Sequence, residues 1–349
     1  MNNFKNTKLN SVNSLGVIHI HSVFSDGTGA VDRISKAAKD AGLDWIIITD
    51  HNSFEVKEGF YNGVYVIKGE EISPQGGNHY LALGINKCIE PSDNVKQTAE
   101  AVKSSGGFGF AAHPDESENR KNAHSPIRWT DKSISPDGIE IWNWFSEWTD
   151  NLNDGNIFSL AYAYLFKHKL VKEPVSETLK WWDDLNNRTG EIVPAIGGAD
   201  AHALKISKYV IPVTIFPYKT MFKTITNVIC LDKPLSKDFE LGKAQILDAV
   251  KSGRNLIVNR AVSKDIPQFI VSNSQETVCA GEKIPLDENT SCSVSTNKNS
   301  LIKIFLNGYE IKKVISNGLN LLIKERGKYR VEIKIGKRGF AYSNPITVY

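Results

Sequence analysis

The residues in this chain best suited to chemistry are its histidines, eight in all. Six of them adjoin apolar runs with the character of β-strands. His19 and His21 end Gly16-Val17-Ile18-His19-Ile20-His21, and His51 follows Trp45-Ile46-Ile47-Ile48-Thr49-Asp50. His113 closes Phe108-Gly109-Phe110-Ala111-Ala112, and His202 closes Ile196-Gly197-Gly198-Ala199-Asp200-Ala201. His79 instead opens the run Tyr80-Leu81-Ala82-Leu83-Gly84. Strand ends of an α/β barrel are where distant residues gather into one site. His19/His21 and Asp200/His202 are i, i+2 pairs, a spacing that puts both side chains on one face of a continuing strand. Carboxylates recur in the same setting, at Asp26, Glu70, Glu71 and Asp200. Imidazole with carboxylate is a ligand set for Zn, Mn or Fe.

The elements that must position these groups can be read from periodicity. Residues 15 to about 260 alternate strand-like and helix-like segments. Leu15–His21, Asp44–Asp50, Val64–Lys68, His79–Ile85, Phe108–His113 and Gly138–Trp142 read as strands. Val31–Gly42 has helical spacing at Val31, Ile34, Ala37, Ala38 and Ala41, and helices are also expected near Asp93–Ser105 and Leu241–Ser252. The rhythm predicts an α/β fold with a mostly parallel sheet, open or closed.

Residues of about 143–190 interrupt that rhythm with a helix-compatible, aromatic segment. It carries Trp144, Phe145, Trp148, Phe158, Tyr162, Tyr164, Phe166, Trp181 and Trp182. Packing against the main body is the bland reading, and a wall over the site is the functional one. From about residue 262 no helical pattern remains. Tyr329, Val331, Ile333 and Ile335 alternate with polar residues, and Ile302, Ile304 and Leu306 lead into the turn dipeptide Asn307-Gly308. This stretch predicts an antiparallel, immunoglobulin-like β-sandwich of about seven short strands. The expected divisions are a flexible 1–14, a main domain over 15–261 and a β-sandwich over 262–349.

Composition excludes several classes. Net charge is +3, from 42 basic and 39 acidic residues, too balanced to argue for a nucleic acid or a membrane by field alone. No apolar stretch approaches the roughly 20 residues of a membrane-spanning helix. Residues 1–14 lack an apolar signal core, and the four cysteines (Cys88, Cys230, Cys279, Cys292) form no C-x-x-C pair, so reduced thiols and a cytoplasmic location are expected. Cys279 and Cys292 are spaced so that a hairpin would let them meet. No G-x-S-x-G elbow, Walker loop or dinucleotide-binding glycine fingerprint is present.

Taken in order, His19-x-His21, Ser25-Asp26-Gly27, Thr49-Asp50-His51, Gly69-Glu70-Glu71-Ile72, His79, His113-Pro114 and Asp200-x-His202 resemble the polymerase-and-histidinol-phosphatase (PHP) superfamily of metallohydrolases. Phe24–Gly29, Gly69–Ser73, Tyr80–Gly84, Gly138–Asn143 and Gly198–His202 look most similar to its carbaryl-hydrolase-type branch, as does the tail Gly327–Glu332 with Ser343–Ile346. The resemblance implies a distorted barrel of about seven βα units with the site at the strand C-termini. It further implies two to three divalent ions, Zn, Mn or Fe, in a trinuclear centre. His19, His21, Glu71 and Asp200 would hold one ion. Glu71, His79 and His113 would hold a second, with Glu71 bridging, and Asp26, His51 and His202 a third. Asp26 stands where some relatives have a nearby histidine, which would either soften the third site or favour Mn or Fe over Zn there. Glu70 rivals Glu71, and the family's G-x-E spacing favours Glu71. Asp50 reads as a residue that orients ligands without binding metal.

The function expected from this site is hydrolysis by a metal-activated hydroxide, with Glu71 and Asp200 at its centre. A phosphoesterase acting on a small phosphorylated or nucleotide-like substrate leads. Arg120, Lys121 and His124, in the loop after His113, are its candidates for holding phosphate or protonating a leaving group, against the alternative of a solvated loop. Lys205, Lys208, Arg254 and Arg260 carry the same two readings. His168, flanked by Lys167 and Lys169, reads as a surface residue. A carboxylic or carbamic ester hydrolase of the same fold is the alternative, favoured by the aromatic segment. A non-catalytic, metal-stabilised binding module is a third reading. No partner beyond a small-molecule substrate is indicated.

Overall fold

A computed structural model of the chain describes residues 11–117, 127–151, 165, 167–206 and 213–349. The first half runs β1 (Val12–Ile20), α1 (Val31–Asp40), β2 (Trp45–Ile48), β3 (Gly59–Tyr61), β4 (Val64–Lys68), β5 (Glu70–Ile72), β6 (Tyr80–Leu83), α2 (Val95–Ser104), β7 (Phe108–Ala111) and β8 (Gly138–Asn143). Then come α3 (Trp144–Asp150), α4 (Lys167–Leu170), α5 (Ser176–Thr189), β9 (Ala195–Ala201), β10 (Lys205–Ile206), β11 (Val213–Thr214), α6 (Tyr218–Met221), β12 (Ile225–Leu231), α7 (Phe239–Ser252) and β13 (Asn255–Asn259). Among the described residues no helix is long and apolar enough to cross a membrane.

The fold is mixed α/β with a large sheet. β1 lies parallel to β2 on one side and to β9 on the other. β2 is parallel to β4, β9 to β8, and β8 to β7. β6 runs antiparallel to both β7 and β5. Only Gly69 separates β4 from β5, so the succession of pairings returns to β2. β2, β6 and β7 are buried along their whole length, which is why their sequences are apolar without alternation. Helix α1 buries Ile34, Ser35 and Ala38, and Gly42 at φ 71° ends its last turn. Helix α2 starts where Asn94 accepts from the backbone of Lys96 and Gln97.

Besides the short β3, β5, β10 and β11, the longer strands β12 and β13 escape the periodicity. β12 and β13 pair antiparallel with each other, and β12 with the first half of β1, so the sheet is less parallel than the rhythm predicts. The rest of the chain supplies β14 (Gln268–Ser272), β15 (Thr277–Cys279), β16 (Lys283–Ile284), β17 (Ser291–Leu306), β18 (Tyr309–Leu322), β19 (Gly327–Ile335), β20 (Arg338–Ser343) and β21 (Ile346–Val348). They are antiparallel but for the parallel β16–β21 pair. They are not seven short strands. β17 and β18, of 16 and 14 residues, make one long hairpin. Its turn is Asn307-Gly308, at φ 51° and 85°, the backbone that a two-residue hairpin loop requires.

These strands share contacts with the preceding strands of the chain. β20 pairs with β13, and Val228 and Val258 pack among Val271, Ile302, Ile304, Val331 and Phe340. The Tyr342 ring meets Trp142 edge-on at 5.3 Å. Asn344 is wholly buried. Its Oδ1 accepts from Ala195 N at 2.6 Å, and its Nδ2 donates to the carbonyls of Ala195 at 2.9 Å and Asn255 at 3.0 Å.

Of three further expectations, only the one for His168 changes; the thiols stay unpaired and the described aromatics pack inward as expected. Cys279 and Cys292 sit on opposite sides of β14, facing Ile270 and Val271. Two strand spacings, roughly 10 Å, exceed the reach of a disulfide. His168 is half-buried rather than a surface residue, because its ring nitrogen Nδ1 lies 3.0 Å from Thr224 Oγ1. Among the segment's aromatics, Trp144, Trp181 and Trp182 belong to the core. Phe158, Tyr162, Tyr164 and Phe166 lie outside the described residues.

Asn344→Ala should leave the buried Ala195 N–H without its partner and remove one of the two donors to each of the Ala195 and Asn255 carbonyls. We expect a loss of about 2–3 kcal/mol in urea unfolding, more than a single hydrogen bond contributes. An unchanged midpoint and slope would contradict this account of the junction.

Candidate metal centre

The strand directions decide where the histidines go. His19 and His21 leave the C-terminal end of β1, and His51 follows β2. Glu71 lies in β5, His113 follows β7, and Asp200 and His202 come at the end of β9. Because β6 runs antiparallel to its neighbours, its N-terminal end shares their rim. That is why His79 opens its run where the others close theirs. The structure brings all nine expected positions into one cluster: His19, His21, Asp26, His51, Glu71, His79, His113, Asp200 and His202.

Glu71, fully buried, stands at the middle. Its Oε1 lies 2.7 Å from His79 Nδ1 and 3.2 Å from His113 Nε2. Its Oε2 lies 3.1 Å from His19 Nε2, 3.2 Å from His21 Nε2 and 3.1 Å from His51 Nδ1. Yet Oε2, His19 Nε2 and both nitrogens of His21 form no hydrogen bond. Donor atoms that crowd together while buried and unbonded are arranged as ligands of an ion. Asp200 Oδ1 joins at 3.2 Å from His21 Nε2. Asp26 Oδ1 lies 3.2 Å from His202 Nε2, at the more open side.

Among the described residues, four groups of three or four donors lie within 4.8 Å of one another. They are His21/Asp26/His51/His202, His19/His113/Asp200, His19/His21/Glu71 and His51/Glu71/His79. His21 and His51 therefore stand between ion positions that the family grouping keeps apart. All donors are imidazole nitrogen or carboxylate oxygen, so the residues fit divalent Zn, Mn or Fe.

The outer partners set which nitrogen faces inward. His19 Nδ1 meets Glu140 Oε1 at 2.8 Å, and His202 Nδ1 meets the Asp200 carbonyl at 3.0 Å. Ser73 Oγ donates its single proton to the Glu71 carbonyl at 3.0 Å. His51 Nδ1, 2.6 Å from that oxygen, must then be the donor between them. Each of these rings is left with an Nε2 lone pair for the cluster.

Burial opposes charge at the shifted groups of the cluster; the neighbours overcome it at His113, His202, Glu71 and Asp200, and burial wins at His21. Despite burial, Glu116 and Glu71 lift His113 to about 9. Asp26 and Asp200 likewise lift His202 to about 9. Burial, helped by the charge of His202, takes His21 down to about 4. Glu71 and Asp200 stay well below the usual carboxylate range, because the histidines around them outweigh burial. Three of the nine, His19, Asp200 and His113, have positive φ of 65°, 53° and 28°. Such backbone costs of order 1–3 kcal/mol per residue and collects at functional sites.

The other sequence candidates separate clearly. Asp50 touches the ligand-bearing loop rather than a ligand. It accepts from Ser22 N, Ser22 Oγ and Ser25 Oγ, each at 2.6 Å, and so shapes the turn from His21 to Asp26. Glu70 points away from Glu71, to Ile89 N at 2.9 Å and Cys88 Sγ at 3.2 Å. Arg254 pairs with Asp232, and Arg260 with the Ala41 carbonyl, both away from the cluster. Arg120, Lys121, His124 and Lys208 lie outside the described residues, as does the Lys205 side chain.

Sequence reasoning missed two supports. Tyr218, from α6, donates to the His21 carbonyl at 2.7 Å and accepts from Gly29 N at 3.0 Å; no local pattern marks it. Glu140 did leave a signal, a lone charge inside the apolar run Gly138–Trp142.

Residues 18–103 match the family model of the PHP domain. That span contains His19, His21, Asp26, His51, Glu71 and His79. The uncharacterized protein MJ1587 of Methanocaldococcus jannaschii is 27% identical over 180 residues, 45% of this chain and 91% of that protein. Among solved structures, a two-domain protein containing a predicted PHP-like metal-dependent phosphoesterase, from Bacteroides vulgatus ATCC 8482, aligns over 96% of both chains at 15% identity and a TM-score of 0.47. PsfC from Pseudomonas syringae PB-5123 aligns over 68% of this chain and 89% of its own, at 12% identity and a TM-score of 0.42.

The raised histidines make metal and protons competitors. His113 and His202 are held at about 9 against an ordinary 6.5, so in the metal-free protein their stabilisation is complete below 6.5 and lost as pH rises through about 9. Metal affinity should move the opposite way, rising over the same window with release of protons. Calorimetric titration in buffers of different ionisation enthalpy reads this directly. Binding without proton release near neutral pH would contradict the assignment.

Proposed function

We propose that this chain is a metal-dependent hydrolase and, within that class, a phosphoesterase acting on a small phosphorylated or nucleotide-like substrate. The observation that carries the reading is Glu71 Oε2, buried among three imidazole nitrogens within 3.2 Å and hydrogen-bonded to none of them. The PHP match over residues 18–103 supports it. In this reading His19, His21, Glu71 and Asp200 hold one ion, Glu71, His79 and His113 a second, and Asp26, His51 and His202 a third. Divalent ions so held would supply a hydroxide at neutral pH and neutralise charge on a phosphoryl oxygen. The chain's own part is positional. Glu71 and Asp200 keep their charge because the histidines hold them ionised; Glu71 is buried, whereas the Asp26 carboxylate is 55% exposed and the His51 ring 28%. Arg120 and His124 remain the proposed phosphate-holding and proton-donating groups, on their place in sequence after His113.

The same reading takes the returning strand pairings as a distorted PHP-type barrel over 15–261 and the strands from 262 as an appended immunoglobulin-like sandwich, in a cytoplasmic protein. A specific observation favours the second reading, a carboxylic or carbamic ester hydrolase of the carbaryl-hydrolase type. The Phe145 ring lies 5.9 Å from the His202 ring and continues into Phe216 and Trp148. Phe24, beside Asp26, is 46% exposed. Such a flank suits an aryl group.

Protein reconstituted with Mn or Zn should hydrolyse a phosphomonoester or phosphodiester, and a chelator should abolish this. Glu71→Ala and Asp200→Ala should each cost about 100-fold or more in rate. Turnover of aryl esters or carbamates without phosphoester activity would move the assignment to the second reading. Undiminished turnover by Glu71→Ala would remove Glu71 from its central role.

A further inference from the structure

We infer that Glu140 is the positioning residue that ties two halves of the metal centre together, and that Gly198 is there to admit it. The inference rests on the metal-binding reading above. Glu140 lies in β8, all six residues of which are buried, and is itself 1% exposed. A carboxylate in such a place is costly unless donors surround it. Its Oε1 meets His19 Nδ1 at 2.8 Å. Its Oε2 accepts from His113 N at 2.7 Å and from Asn143 Nδ2 at 3.1 Å. Both oxygens thus face N–H groups, and neither face has room for a donor in place of an acceptor.

Each oxygen acts on a different strand end. On one side, the bond puts a proton on His19 Nδ1 and turns the Nε2 lone pair toward Glu71 Oε2, 3.1 Å away, and Asp200 Oδ1, 3.5 Å away. On the other side, it holds the backbone of His113 at φ 28°, where the ring reaches Glu71 Oε1 at 3.2 Å. One carboxylate therefore fixes a ring orientation at the end of β1 and a strained backbone after β7.

Gly198 gives independent support. A Cβ built there would fall 1.6 Å from Glu140 Oε1, 2.7 Å from its Cδ and 3.1 Å from His19 Cβ. No side chain fits unless Glu140 moves. Two positions in adjacent strands, β8 and β9, are therefore both committed to the same contact.

The test uses Glu140→Gln and Gly198→Ala. The first keeps the size but must turn an NH2 toward either His19 Nδ1–H or His113 N–H. The second keeps the charge and displaces it. Each metal-free protein is checked by circular dichroism and titrated calorimetrically with Zn2+, and the His19 Nδ1 proton is sought by 15N-resolved NMR. We expect a solvent-protected His19 Nδ1–H in the wild type. We expect both variants to keep the native spectrum, to lose that protection and to bind Zn2+ about 10–100-fold more weakly. Wild-type affinity in a folded Glu140→Gln protein would overturn the inference, as would a wild-type His19 protonated on Nε2 and bare on Nδ1. If neither variant folds, that wild-type proton decides the matter. A wild type that binds no divalent ion would instead sink the metal reading, which is a separate outcome.

Discussion

A carboxylate sealed from water cannot stay ionised alone, and Glu71 is such a group. Five imidazoles surround it, and in the metal-free protein protons on His19 and His113 balance its charge, which is why those two are pushed toward higher pKa against the pull of burial. Divalent ions can take over the same balancing. The centre is in this sense built to exchange protons for cations, and its other features keep donors close enough for that exchange. Positive φ at His19, His113 and Asp200 is part of the expense. It persists because fixed neighbours hold each segment in place.

Those neighbours belong to the strands and turns around the cluster. The β1 strand changes partner along its length, pairing with β12 early and β9 late, with a register shift at His19. His19 and His21 both turn into the cluster, their rings 5.2 Å apart. Behind them, Asp50 gathers the serines of the following turn, and the Tyr218 hydroxyl joins the His21 carbonyl to Gly29. The ligands are thus oriented through backbone as much as through their rings.

The C-terminal strands serve the same end of the molecule from behind. Asn344 grips Ala195 at the start of β9, the strand whose far end carries Asp200. Arg330, stacked between Trp182 and Phe305, takes both oxygens of Asp183 on α5. These are buried, paired contacts, so the β layer is fastened to the strands and the helix beneath the site rather than hung from a linker.

What the sequence by itself determined is local. Runs buried on both faces named β2, β6 and β7, helical spacing named α1, α2 and α7, and Asn307-Gly308 named its hairpin. The inventory of donors was legible too, since imidazoles and carboxylates at strand ends are unusual in kind and place. Choosing Glu71 over Glu70 needed a family spacing, and the strand makes the reason plain: adjacent residues face opposite sides. The tertiary structure decided the rest. β12 and β13 gave no clear period, because their character comes from the partners they meet. The antiparallel course of β6, which brings His79 to the common rim, is a fact of pairing. Glu140 reaches His19 across 121 residues, and Tyr218 reaches the His21 carbonyl across 197. Periodicity reports which face of a segment is buried, whereas the direction of a lone pair depends on which distant strand lies beside it, and only the folded chain settles that.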